Sequence, residues 1–193
     1  MKNFNLNVIA LAVSLAFSAS AFAEGISKDE YKAGKDRIAA EYKLAKASCA
    51  SLAGNPNDIC VAEAKGAEKV AKADLEASYK PSHKTHYKAS VAKAEADYAV
   101  SKEKCDDLAG NAKDVCVKEA KAAETSAEAD AKAQLKSSDA KTTAREKSVD
   151  ARKNANEDKI DAQYAVAKEK CDDLAGNAKD ACVNEAKVRF GKS

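Results

Sequence analysis

The residues in this chain best placed to do chemistry are its six cysteines. They fall into three pairs, Cys49 with Cys60, Cys105 with Cys116 and Cys171 with Cys182, each with ten residues between its members. Paired thiols can close a disulfide, hold a soft metal ion or cycle as a redox couple. A thiolate metal site needs more than two soft ligands close together, and no third ligand type accompanies the pairs. A catalytic redox couple favours the Cys-X-X-Cys spacing that tunes thiol reactivity, and that spacing is absent. An exported chain with an even number of cysteines in local pairs is where disulfides are expected. The expected bonds are Cys49–Cys60, Cys105–Cys116 and Cys171–Cys182.

Other candidate sites are weaker. His83 and His86 are the only histidines, and on one helical turn they could bind a divalent cation with carboxylate help. They do not recur in the other repeats, so they cannot be the purpose of the repeat. Asp106-Asp107 and Asp172-Asp173 put paired carboxylates in the last turn of a helix, where the dipole disfavours negative charge. With Asn111 and Asp114, or Asn177 and Asp180, they suggest a hard-cation site. However, the first repeat has Ala50-Ser51 there, and Lys113 or Lys179 could pair with the acids instead. No nucleophile, base and orienting group can be assembled, and no glycine-rich phosphate loop or serine elbow is present. Neither an enzyme nor a cofactor is expected.

The cysteine pairs are positioned by a repeated unit. "KEKCDDLAGNAKDVCVKEAK" from Lys102 returns as "KEKCDDLAGNAKDACVNEAK" from Lys168, and as "KASCASLAGNPNDICVAEAK" from Lys46. Upstream of each first cysteine, steps of three and four residues reach Tyr42, Tyr98 and Tyr164, and downstream they reach Leu52, Leu108 and Leu174. Tyrosine, cysteine and leucine thus share one helix face, which points at a partner helix rather than at solvent. Gly54, Gly110 and Gly176 sit where a helix end needs positive φ, and Asn55, Asn111 and Asn177 read as N-caps of a second helix. Pro56 fits the first helical turn, which tolerates proline. Helices joined so closely run back antiparallel. Cys105 and Cys116 then lie level, each about 7–8 Å from the bend at about 1.5 Å rise per residue.

Composition explains why such staples are useful. Residues 1–23 read as a secretory signal peptide: Lys2 is the positive region, Val8 to Phe17 the apolar run and Ala21-Phe22-Ala23 the cleavage site, with cleavage after Ala23. The apolar run is shorter than the roughly 20 residues a membrane-spanning helix needs. After position 23 only 21 residues are Leu, Ile, Val or Phe. The chain carries 33 basic and 31 acidic residues, so the low net charge argues against disorder as well as against a nucleic-acid or anionic-membrane partner. Alanine, lysine, glutamate and aspartate dominate, which favours helix with a solvated, charge-laced surface. The expectation is an all-α chain with a thin alanine-lined core in need of reinforcement.

Boundaries are set by Ser27-Lys28-Asp29-Glu30 and Thr143-Ala144-Arg145-Glu146, both of capping-box form, and by the breaks "KPSHKTH" (Lys80 to His86) and "KSSDAKTT" (Lys136 to Thr143). Six helices are expected, about 27–53, 56–79, 85–109, 112–136, 143–175 and 178–190. They group as three antiparallel hairpin repeats, 24–80, 81–136 and 137–193, packed as a bundle or strung out as an elongated, coiled-coil-like array.

With "YAVSKEKCDDLAGNAKDVCVKEAK" and its copies, the chain resembles a group of Gram-negative periplasmic proteins with paired-cysteine, Ala/Lys-rich helical hairpins, often labelled TolA-like or cell-envelope-biogenesis proteins. The resemblance spans the sequence after the leader. It implies a periplasmic location, partners among envelope proteins, and a structural, adaptor or envelope-stress role. TolA-type proteins carry a membrane anchor where this chain has a cleavable leader, so no TolA activity is carried over. Two other readings are a periplasmic metal-binding or buffering protein, using His83, His86, the Asp-Asp pairs or reduced thiols, and a holdase-type chaperone. The second lacks the large apolar surface that holdases present.

Overall fold

The computed structural model describes residues 25–192, and the expected signal peptide lies outside them. Ser27 starts the first helix as its capping box requires: its hydroxyl accepts from the Glu30 amide and the Glu30 carboxylate accepts from the Ser27 amide. Helix α1 (Lys28–Cys49) then turns its Gly34, Ile38 and Cys49 face inward onto α2 (Asn55–Tyr79). Gly34 is required here by close approach, because a Cβ at that position would lie 2.6 Å from Leu75 Cδ1. One end of the α1–α2 pair is closed by polar and aromatic contacts. Tyr31 and Tyr79 stack with ring centroids 4.3 Å apart, and the Tyr31 hydroxyl donates to Glu76 over 2.7 Å.

Pro81 follows α2, and Ser82 caps α3 (His83–Cys105) with Thr85 in the place of the usual glutamate. Helices α2 and α3 pack closely: the bare Gly66 faces Ala96, and Lys69 reaches Glu95 at 2.6 Å. Helix α3 buries Ala92, Ala94, Ala96 and Cys105 between its two neighbours. The chain then reverses into α4 (Gly110–Lys170) and, after a single 3-10 turn (Cys171–Asp173), into α5 (Asn177–Arg189). No strand occurs among the described residues, and no helix among them is long and apolar enough to cross a membrane.

There are thus five α-helices among the described residues where six were expected. The expected break at Lys136–Thr143 is absent, and the boundary between the second and third repeats falls inside the 61-residue α4. "KPSHKTH" and "KSSDAKTT" look alike as polar punctuation, but only the first contains proline. Proline removes a helical N–H and clashes with the preceding turn at a cost of about 3 kcal/mol, whereas serine, threonine and aspartate cost only about 0.5 kcal/mol each. The Thr143–Glu146 box therefore starts no helix.

Each helix packs only on its sequence neighbours. The backbones of α1 and α3, α1 and α4, and α2 and α4 make no approach, so the first four helices form an open antiparallel array rather than a closed bundle. Helix α4 leaves that array near Ser138. Residues 139–159 are all exposed, after which the C-terminal end of α4 packs on α5. At about 1.5 Å per residue α4 is about 90 Å long. The Cys49–Cys60 and Cys105–Cys116 turns lie at one end of the array, and the Cys171–Cys182 turn lies at the far end of α4. As the composition foretold, the buried core is thin: Ile38, seven alanines and three cysteines.

Candidate functional site

The three hairpin turns are the one constellation the sequence repeats, and they repeat in geometry. Cys49, Cys105 and Cys171 are fully buried, at 0% exposure, and each is bonded to the cysteine eleven positions later. The Cα–Cα separations are 5.6, 5.7 and 5.7 Å, within the range that unstrained disulfides span. All six cysteines are bonded. In each unit the leucine amide donates back to the first cysteine's carbonyl: Leu52 to Cys49, Leu108 to Cys105 and Leu174 to Cys171. This bond ends the first helix before the glycine is reached.

The glycines therefore act later than expected. Gly54 and Gly176 precede the second helix, with φ 64°, ψ −151° and φ 60°, ψ −141°. That region is open essentially only to glycine. Gly110, at φ 55°, is the first residue of α4. Asn55, Asn111 and Asn177 stand inside the second helices, whose N-termini have no side-chain cap bond. The asparagines are a correction to the expected capping.

The Asp-Asp pairs are explained by what lies opposite. Asp106 meets Lys113 at 3.0 Å, and Asp172 meets Lys179 at 2.9 Å, each bridging the end of one helix to the start of the next. The Asp172 carboxylate holds the Lys179 ammonium above its usual pKa, chiefly through their hydrogen bond. The first repeat has Ala50 in place of the acid and Asn57 in place of the lysine. There the Asn57 amide donates to the Cys49 carbonyl at 2.7 Å, closing the same turn by a neutral bond. One position in each unit, Asn57, Lys113 or Lys179, is thus a cross-turn clamp, and its chemistry changes with its partner. Asp107 and Asp173 remain exposed.

Tyr42, Tyr98 and Tyr164 are half-buried in the seam. Lys121 lies 5.1 Å above the Tyr98 ring, and Phe190 meets Tyr164 edge-on at 6.3 Å. The histidines lie apart from the turns, in an open cleft of about 430 Å³ between α2, α3 and α4. His83 Nδ1 contacts Asp139 Oδ1 at 2.8 Å. A carboxylate only accepts, so that nitrogen carries the hydrogen. No local pattern marks this pairing, because 56 residues separate the two groups. Among the described residues no three of His, Cys, Asp or Glu come together as a metal-ligand set.

No family model, curated protein or solved structure matches this chain.

Proposed function

We propose that this is a non-enzymatic periplasmic protein that acts as a structural or adaptor element of the cell envelope, holding two disulfide-stapled ends apart on a single helix. The observation that carries this reading is that the shared residues of the repeat are occupied at the turns. The cysteines are bonded, the glycines take backbone angles other residues avoid, and Asn57, Lys113 and Lys179 clamp the reversal. Repetition here serves the hairpin itself. Three local disulfides fit an oxidising, exported setting, since such bonds persist there and are rare in reducing compartments. The bare span of α4 supports the adaptor role, because a helix that buries nothing of its own contributes length and direction. Envelope-stress protection belongs to the same reading, as stapled hairpins resist unfolding.

Non-reducing peptide mapping of protein taken from the periplasm, with free-thiol counting and elemental analysis, tests this proposal. All six cysteines should be in the three local pairs with no metal in stoichiometric amount. Free thiols loaded with metal would overturn it in favour of metal buffering. Failure to recover the mature chain from the periplasm would overturn the location.

A further inference from the structure

The repeats show that α4 carries two faces that are packed together elsewhere in the chain but are bare here. Aligning Cys60 with Cys116 places Glu63 on Glu119 and Gly66 on Ala122. Aligning Cys105 with Cys171 places Ala96 on Ala162, Val100 on Val166 and Lys104 on Lys170. In the first pair of hairpins these residues meet across the α2–α3 interface: Gly66 faces Ala96, and Lys104 pairs with Glu63 at 3.7 Å. Ala96 is buried at 7% exposure, whereas its counterpart Ala162 is exposed, and Val166 is 56% exposed. The α2 and α3 faces meet because Pro81 lets the chain fold back. The two α4 faces cannot meet within one chain, since they lie on one straight helix.

We propose that a second copy of this chain supplies the missing partner, the two α4 helices pairing antiparallel about a twofold axis at Thr142. Transferring the α2–α3 register sets Ala122 of one copy against Ala162 of the other, and Thr142 is the midpoint of that pair. Independently of this transfer, six of the nine alanines between them are placed symmetrically. Ala129 and Ala155, Ala133 and Ala151, and Ala140 and Ala144 are all centred on Thr142. The eight are spaced alternately by seven and four residues, an eleven-residue repeat that keeps one face of a nearly straight helix. All eight are exposed. Alanine on a solvated helix is unremarkable for its propensity alone; the symmetry and the transferred register together are not accounted for by propensity.

The charges agree with the pairing. Glu119 falls opposite Lys170 of the partner copy, repeating the Glu63–Lys104 contact at both ends of the dimer. Four charged residues flank the stripe, Lys136, Lys147, Asp158 and Lys159, and in this register they stand level with Ser148, Ser137, Ser126 and Thr125 of the partner copy. Alanine at 122 in place of Gly66 requires the axes to stand a few tenths of an ångström further apart than α2 and α3 do. The strip is about 60 Å long and about 10 Å wide, giving about 1,200 Å² of total buried surface, the lower bound for a specific interface. The result is an isologous contact formed by exchanging an interface already present in the fold, the logic of domain swapping. Each end of the dimer would continue the open array with the partner's terminal hairpin.

The test is cross-linking of the full mature chain carrying Ala122→Cys and Ala162→Cys. In one straight α4 these positions are about 60 Å apart, so mild oxidation should give a covalent dimer whose new bond maps to residues 122 and 162, with the three native disulfides intact. A bond within one chain would show that α4 folds back at 136–143, and no bond would show that the faces do not meet; either overturns the proposal. Sedimentation equilibrium of the cysteine-preserved chain should show a dimer. Ala133→Glu with Ala151→Glu, both exposed in the single chain, should weaken it at least about a hundredfold by burying unpaired charge, with helical content unchanged. A wild-type chain that stays monomeric, or a dimer indifferent to the two glutamates, would overturn it.

Discussion

Replacing Cys171 and Cys182 with alanine should release α5 while leaving the rest of the fold intact. Helix α5 has 13 residues, about the length at which isolated helices are marginal in water. Its remaining ties are few: Lys179 pairs with Asp172, Ala186 is buried, Phe190 meets Tyr164, and Lys192 contacts Asp161. The disulfide closes a loop of sequence separation 11, for which the chain-entropy relation gives about 2.8 kcal/mol. That corresponds to about a hundredfold change in the equilibrium for opening the terminal hairpin. The effect should stay local, because residues 140–159 are all exposed and pack on no other element, so they cannot pass a loss of packing to the array. Native-state hydrogen exchange read by mass spectrometry gives both quantities. Amides of 177–189 should exchange about a hundredfold faster, and those of α2 and α3 at unchanged rates. Unaltered protection of α5 would show that the staple contributes nothing to that hairpin. Protection lost throughout α2 and α3 would show that the two ends are coupled, and the reasoning would be wrong.

Gly34→Ala should destabilise the α1–α2 pair by about 1–3 kcal/mol, since the new methyl overlaps Leu75. Adding Leu75→Ala should restore part of that loss, and a double-mutant cycle in urea that is purely additive would refute the contact. The Tyr31–Glu76 bond gives an acid dependence with a defined sign. The Tyr31 hydroxyl donating to Glu76 holds that carboxyl below its ordinary value of 4.5. Its contribution is therefore complete above 4.5 and fades as pH falls through the lower folded-state value. Thermal melts of Glu76→Gln should show a smaller acid-induced drop than the parent protein, and identical drops would remove Glu76 from the account. Lys179, raised by Asp172, has the opposite sense: its contribution is present below 10.5 and is lost as pH rises through the folded value. Asp172→Asn should flatten that alkaline loss in a melting series, and a curve parallel to the parent's would count against the clamp.

Much of the fold could be read from local chemistry because its signals are local. The Ser27–Glu30 box, the turn at each cysteine pair and the tyrosine–cysteine seam all operate within about a dozen residues, where spacing translates directly into position. Two misreadings share one cause. Ser137, Ser138, Thr142 and Thr143 resemble a linker in composition, yet nothing in that stretch forbids helix, and Pro81 was the only true breaker of the pair. Likewise the asparagines were assigned a capping role by residue type, when the leucine-to-cysteine hydrogen bond had already ended the first helix and left the cap position to Gly54, Ala109 and Gly176. What spacing could not supply was contact across long separations. The pairing of His83 with Asp139 and the fit of Gly34 under Leu75 depend on which helix lies beside which, and polar or small residues carry no label for that.

The bare span of α4 has a further consequence for how this chain can change. A straight helix fixes angle along with distance, so each residue inserted between 139 and 159 would turn the terminal hairpin by about 100° as it moved it about 1.5 Å. Insertions or deletions of about seven or eleven residues bring the far clasp back to within about 20° of its original heading, and about eighteen restore it fully. Substitution along this segment should leave the fold of the single chain nearly unchanged, since apart from the Asp139 contact with His83 its side chains touch no other element. Its length is not free: a phase relation between the two ends is stored in residue number alone.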